Sequence, residues 1–412
     1  MSLFQLIGAL VTAVAVFGYI NHRFIHLPDT IGITAMGLLV SLVLAVSGQF
    51  VPGAVDWASA VADRLDFPEV VFHGLLSVLL FAGSLHVNIA ELAKQRVAIL
   101  GLATIGVLLS TVLVGAGTYF LLALFGKPVA IGYCLLFGAL ISPTDPIAVL
   151  GVLKTVGVPK SLEMNIAGES LFNDGTGVVL FLVLLGIVTG TSEPTFLHVG
   201  KLLLTEVLGA LVVGLAAGYV AFYMLKGVDS YAVEILITLA LATGGYSLAE
   251  VLHVSAPLAV VVMGLVIGNH GARSAMSEKT RGHLFPFWEL LDEVLNLFLF
   301  GLIGIKLLAL HTVGVSWWAA AAIVPLVLVV RLVSVSLPVF ALRPWLTHEP
   351  HRVKVLFWGG LRGGISVALA LSLPEFEGHD MLVVATYAVV LFSLLIQAPT
   401  LAPLLVRLGV SK

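Results

Sequence analysis

The sequence predicts an all-α polytopic membrane protein, and three observations carry that prediction. Hydrophobic residues make up 59% of the 412-residue chain. Charged residues make up only 10%, against about 25% in an ordinary soluble domain. The apolar residues fall in runs of roughly 20, the length that crosses a bilayer as a helix. A chain of this size has room for two or three soluble domains, but this one lacks the charge to cover their surfaces. The same figures exclude a disordered chain, collagen and a coiled coil. Lipid offers the backbone no partner and no period-two barrel pattern is visible, so the runs are helices.

Thirteen spans are predicted, at about 3–20, 31–48, 70–89, 97–125, 129–153, 163–189, 200–225, 231–251, 255–269, 291–310, 315–340, 354–373 and 381–406. The stretch up to Tyr19 has no basic start and no small-residue cleavage site, so it reads as a first span rather than a removed leader. Lysine and arginine placement orients the chain. With the N-terminus outside, fourteen of the 20 cationic residues lie inside, four outside, and Arg331 and Arg362 remain within spans. The expected topology is therefore N-terminus outside and C-terminus cytoplasmic. The outer loops are acidic, with Asp56, Asp63, Asp66 and Glu69 in one and Glu375, Glu377 and Asp380 in another. The longest connections, 49–69 and 270–290, are too short for a soluble domain. The second carries Pro286, Phe287 and Trp288 among charges and is predicted to be an interfacial amphipathic helix.

A polytopic chain without a catalytic or nucleotide domain reads as a secondary transporter or a channel. No G-x-x-x-x-G-K-[ST] stretch is present to bind ATP. A net charge of −3 without a basic block gives no nucleic-acid partner. Cys134 sits alone in an apolar run, with no second cysteine and no metal motif, and no cofactor is expected.

Two spans are interrupted. In the fifth, Pro143 and Pro146 bracket Thr144 and Asp145; each proline removes an amide donor and disfavours helix in the residue before it. In the twelfth, Gly359, Gly360, Gly363 and Gly364 surround Arg362 and weaken the helix at its middle. Unwound backbone at that depth must line a cavity or be buried in protein. Each interrupted span is second from last in a set of six, spans 1–6 and 8–13, with span seven between them. That arrangement predicts two inverted six-helix repeats whose broken helices form a transport site.

The sixth span concentrates the charge, with Glu169, Ser170, Asn173 and Asp174 in an otherwise apolar segment. A carboxylate at mid-membrane is costly and marks function by default. Ser170 and Asp174 are four apart on one face; Glu169 and Asn173 are four apart on the next, about 100° round. Oxygen ligands suit a hard cation. Ser170, Asp174, Asp145 and the freed carbonyl near Thr144 could together make such a site. Without a cation, a carboxylate in this surrounding takes a proton instead. A single group that holds either ion exchanges them. Glu169 and Arg331 are expected as a buried pair, and Arg362 is expected against carbonyls at the breaks or against Asp145.

These stretches also carry a resemblance. Glu-Ser-Leu-Phe-Asn-Asp-Gly (169–175), Ser-Pro-Thr-Asp-Pro (142–146), Gly-Gly-Leu-Arg-Gly-Gly (359–364) and Leu-Leu-Phe-Ala-Gly-Ser-Leu-His-Val-Asn (79–88) resemble the monovalent cation:proton antiporter-1 family, the NhaP and NHE-like sodium/proton exchangers. The resemblance implies a thirteen-helix homodimer of the inner membrane, working as an elevator. It implies a dimerisation domain from 1–90 and 196–311, including linker span seven, and a transport core from 91–195 and 312–412. It implies that Asp174 binds the ion and the proton, with Asn173 as the amide associated with electroneutral exchange. Asp145 and Thr144 would sit at the crossed breaks, Ser170 would be a ligand, Glu169 with Arg331 a structural pair, and Arg362 a stabiliser of the core. Some relatives place a carboxylate in span three; this chain has Ala82, Gly83 and Ser84 there. Animal and plant relatives carry a long cytoplasmic regulatory tail, and regulation through such a tail is not expected here.

The expected activity is exchange of a monovalent cation, Na+ or alternatively Li+ or K+, for H+. The alternatives are a cation channel or a symporter of an organic solute and an ion. An intramembrane enzyme using an Asp145–Asp174 dyad lacks a Gly-x-Gly-Asp stretch and an H-E-x-x-H motif, and no enzyme activity is expected. His73 and His86 near span three, and His270, His283, His348 and His351 in inner loops, are candidate pH sensors.

Overall fold

The structure, a computed structural model, describes residues 3–47, 67–191, 195–306, 315–346, 349 and 351–410, and these are helical with no strand among them. Nine helices among the described residues are long and apolar enough to cross a membrane. The chain runs α1 (Leu3–Ile20), α2 (Asp29–Ser47), α3 (Phe67–Leu85), α4 (Arg96–Leu124), α5 (Ile131–Ile141), α6 (Ile147–Val156) and α7 (Lys160–Val188). It continues through α8 (Phe196–Lys226), α9 (Tyr231–Val251), α10 (Ala256–Ser274), α11 (Glu278–Lys306) and α12 (Trp317–Ala341). It ends with α13 (Arg352–Trp358), α14 (Gly364–Leu371) and α15 (His379–Arg407).

One prediction is overturned. The 270–290 connection is not a separate interfacial helix: α10 continues to Ser274, and α11 begins at Glu278 and runs unbroken through Pro286. Trp288 is fully buried, its ring 4.7 Å from that of Phe81, and its Nε1 donates to Thr238 Oγ1 at 3.0 Å. The indole has both the apolar contact and the acceptor it needs inside the protein, so nothing holds it at a lipid surface. The acidic residues Asp56, Asp63 and Asp66, His348 and the expected boundary at 311/312 lie outside the described residues.

Helix contacts fall into two sets. In one, α2 packs along α11, and α10 packs against α3, α8 and α9. In the other, α4 packs against α5 and α12, α12 against α15, and α14 against α15. Helix α7 touches both, with α5 on one side and α8 and α10 on the other. Small residues allow the tightest contacts. Gly138 of α5 lies so close to α4 that a Cβ there would overlap the Thr111 carbonyl. The outward side of α8 presents Leu204, Val212, Val220 and Tyr223, all exposed; a hydrocarbon surround makes that face favourable where water would penalise it.

Candidate functional site

The two interruptions fall at the prolines and the glycines. Helix α5 stops at Ile141 and α6 resumes at Ile147; α13 stops at Trp358 and α14 starts at Gly364. The two unwound stretches meet. Asp145 N–H donates to the Leu361 carbonyl at 2.8 Å. Arg362 Nη1 donates to the carbonyls of Ser142 and Pro143, the latter at 2.8 Å. The Asp145 carboxylate lies against Gly363, where any Cβ would overlap it. Each break thus supplies charge to the other. A guanidinium meets the carbonyls at the end of α5, the negative end of its dipole, and a carboxylate lies beside the start of α14, the positive end of its own.

Helix α7 holds the rest of the cluster. Asn173 Nδ2 donates to Thr144 Oγ1 at 2.8 Å, and Thr144 N–H donates to Asn173 Oδ1 at 3.2 Å. The hydroxyls of Ser170 and Thr144 are 2.9 Å apart. Asn173 and Ser170 therefore clamp the unwound Thr144 from both its backbone and its side chain. Gly177 lets α7 approach the break, since a Cβ there would overlap the Pro143 ring. On the neighbouring face, Arg331 Nη1 donates to Glu169 Oε1 at 2.6 Å, and Arg331 Nη2 donates to the Leu356 carbonyl at 3.0 Å. Both side chains are buried. Gly360 makes room for the guanidinium.

Asp174 stands apart from these pairs. No hydrogen bond or salt bridge among the described residues reaches its carboxylate. It lines a cavity of about 400 Å³ together with Thr144 and Asp145. The cavity follows α7 from Glu163 to Asp174, about 16 Å at 1.5 Å per residue. Glu289, Asp292 and Glu293 of α11 also line it. A second cavity of about 400 Å³ lies further along α7, beside Val178, Val179 and Leu182, and Asp174 does not line it.

Of the residues singled out from sequence, Asp174, Asp145 and Thr144 reach the first cavity, while Ser170 and Asn173 sit behind Thr144 and hold it. Span three offers Gly83 and His86 to the cavity; Ser84 instead donates to the Phe81 carbonyl at 2.9 Å. His86 Nδ1 lies 2.8 Å from the Ala82 carbonyl. His283 stacks on Tyr231 at 4.5 Å, His270 lies 6.1 Å from the Tyr219 ring, and His351 is exposed at the start of α13. The His73 side chain is outside the described set.

The model of the sodium/hydrogen exchanger transmembrane family matches residues 11–407. The chain belongs to the sodium/hydrogen exchanger family. The Na(+)/H(+) antiporter NhaP of Pseudomonas aeruginosa is 46% identical, over 98% of this chain and 96% of that one. The Na(+)/H(+) antiporter NhaH of Halobacillus dabanensis is 35% identical, over 93% of this chain and 92% of that one. The solved structure of the sodium proton antiporter MjNhaP1 from Methanocaldococcus jannaschii superposes with a TM-score of 0.75 at 21% identity, covering 99% of each chain. These relatives are transporters, not enzymes.

Within this exchanger, the residues that sequence reasoning missed are the cavity acids Glu163, Glu289, Asp292 and Glu293. A signal existed for three of them. Glu289, Asp292 and Glu293 are spaced three and four apart, which is one helical face. Counting apolar residues placed the start of that span at 291 and left Glu289 in a loop.

Proposed function

We propose that the protein exchanges a monovalent cation, Na+ in the first instance, for H+ across the inner membrane. The observation that carries this reading is Asp174: a carboxylate on a cavity wall, without an ion pair, beside Thr144 and Asp145, while Glu169 is already neutralised by Arg331. A carboxylate at membrane depth is expensive to leave bare. It is occupied by a cation drawn from the cavity or by a proton, and the two compete. Asp145 and Thr144 supply further oxygens, the ligand type a hard cation takes.

The separation of the two cavities supports alternating access over a channel. Asp174 opens to the Glu163 end, which the positive-inside rule assigns to the cytoplasm, and the space beyond Val178 is a different one. In this reading the chain crosses the membrane thirteen times, with the N-terminus outside and the C-terminus cytoplasmic. The α4–α7 and α12–α15 core slides past a dimerisation domain formed with a second copy. One negative site that carries one cation or one proton makes the cycle electroneutral.

The test is reconstitution in liposomes under imposed Na+, Li+ or K+ gradients, with internal pH followed while membrane potential is clamped or free. Cation-dependent proton movement that ignores the clamp and vanishes in Asp174→Asn is expected. Exchange that persists in folded Asp174→Asn removes Asp174 from the mechanism. Proton movement that follows the clamp removes electroneutrality.

A further inference from the structure

The wall of the exchanger's cavity includes one more residue whose side-chain oxygen lacks a partner. Ser366 lies in the first turn of α14, is 1% exposed, and lines the same cavity as Asp174, Asp145 and Thr144. Its hydroxyl has no hydrogen bond. Among the described residues with an unpartnered buried hydroxyl, it alone lines this cavity.

That isolation has a cause in the fold. A serine or threonine at membrane depth ordinarily donates to a carbonyl one turn back. Here Ser142 donates to Gly138, Thr176 to Phe172 and Thr386 to Leu382, at 2.6, 3.0 and 2.8 Å. For Ser366 the residues three and four back are Gly363 and Arg362, which belong to the unwound stretch. Gly363 is extended, with φ −132° and ψ −155°. Their carbonyls are not aligned along α14, so the hydroxyl has no local acceptor. A buried polar group left without a partner is destabilising, and a group that is satisfied only by a ligand is one explanation for its presence. Helix α3 brings Gly83 to this cavity and keeps the Ser84 hydroxyl on its own backbone. The unpartnered hydroxyl beside this cavity therefore comes from the second broken helix, while that of Thr144 is already bonded to Asn173 and Ser170.

We infer that Ser366 is an oxygen ligand of the transported cation, its hydroxyl turning about χ1 to complete a set with Asp174, Asp145 and Thr144. The inference rests on the antiporter reading above. It assigns the second broken helix a direct role in cation affinity, alongside the support it gives the first through Arg362.

The test measures 22Na+ binding to purified protein and the KM and kcat of exchange in liposomes, with Asp174→Asn as the zero-binding reference. Ser366→Ala is expected to raise KM for Na+ about ten-fold while kcat changes little, and Ser366→Thr, which keeps the hydroxyl, is expected to restore it. Ser366→Cys has nearly the same shape but a soft ligand. It is expected to lose Na+ affinity and shift preference toward Tl+, which a packing role would not produce. Wild-type affinity in both Ser366→Ala and Ser366→Cys overturns the inference. Where these variants do not fold, a Tl+-soaked structure of the wild type decides it: density at Asp174 without a contact from Ser366 overturns it equally. Wild-type protein that neither binds nor exchanges a monovalent cation overturns the antiporter reading, and the inference with it. Cation binding that depends on Asp174 but not on Ser366 overturns the inference alone.

Discussion

Arg362 in the second break donates from Nη1 to the carbonyls of Ser142 and Pro143 in the first. Those carbonyls lost their intrahelical donors where the helix ends, and both residues are buried. Hydrogen bonds from a charged donor contribute about 1.5–3 kcal/mol each. Arg362→Ala is expected to lower the detergent-solubilised melting temperature and to reduce exchange by at least ten-fold. Arg362→Lys keeps the charge without the planar fork and is expected to fall between. Wild-type melting and exchange in Arg362→Ala would show that the breaks hold together without it.

The Glu169–Arg331 pair invites a double-mutant cycle. Removing one partner strands a buried charge, at a cost of about 3–5 kcal/mol. Glu169→Ala and Arg331→Ala are each expected to depress folded yield and thermal stability. The double variant is expected to recover part of the loss, because it leaves neither charge behind. Arg331 also donates to the Leu356 carbonyl, so Arg331→Ala should cost more than Glu169→Ala. Additive losses in the cycle would mean that the 2.6 Å contact carries no coupling.

Asn173 and Thr144 give a prediction about affinity. The amide makes two bonds to Thr144, one to the backbone and one to the hydroxyl. Asn173→Ala leaves Asp174 to take a proton but releases Thr144 from its place. A loss of roughly 1–2 kcal/mol corresponds to a KM for Na+ raised about 5- to 30-fold, with exchange still present at saturating Na+. Measured KM and kcat would separate this from a general loss of activity. A fall in kcat at unchanged KM would rule out the positioning role.

Much of the fold was legible because membrane spans obey composition, length and charge rules that need no tertiary information. The breaks were legible because proline and paired glycines act locally: the observed gaps fall at 142–146 and 359–363. The site was legible in part. Mid-membrane polar residues stand out in an apolar sequence, which directed attention to Asp145, Glu169, Asn173 and Asp174. Their division of labour was not legible, because whether Ser170 faces the ion or clamps Thr144 depends on how α7 is rotated against α5. The acids of α11 were hidden by a hydropathy rule that starts a span where charge stops. Trp288 was misplaced because an aromatic residue among charges looks alike whether it meets a lipid headgroup or the buried hydroxyl of Thr238.

Gly175 and Leu258 give the prediction that bears on motion. Gly175 follows Asp174 on α7, and a Cβ there would overlap the Leu258 side chain of α10. This is a contact between the helix that carries Asp174 and the set of helices packed around α10. If α7 must slide past α10 to move Asp174 from one cavity to the other, the smoothness of this contact sets the rate. A side chain at 175 would have to ride over Leu258 at every turnover. Gly175→Val is expected to fold and to bind Na+ with near-normal affinity, because the added side chain meets the flexible end of Leu258 and not Asp145 or Thr144. Its turnover is expected to drop by ten-fold or more. Leu258→Ala in the same chain removes the obstacle and is expected to restore much of the rate. The readout is kcat in liposomes beside equilibrium 22Na+ binding, in both single variants and the double. Equal losses of binding and turnover would place the defect in the site and not in its movement. Undiminished turnover in Gly175→Val would mean that α7 and α10 do not slide on each other during exchange.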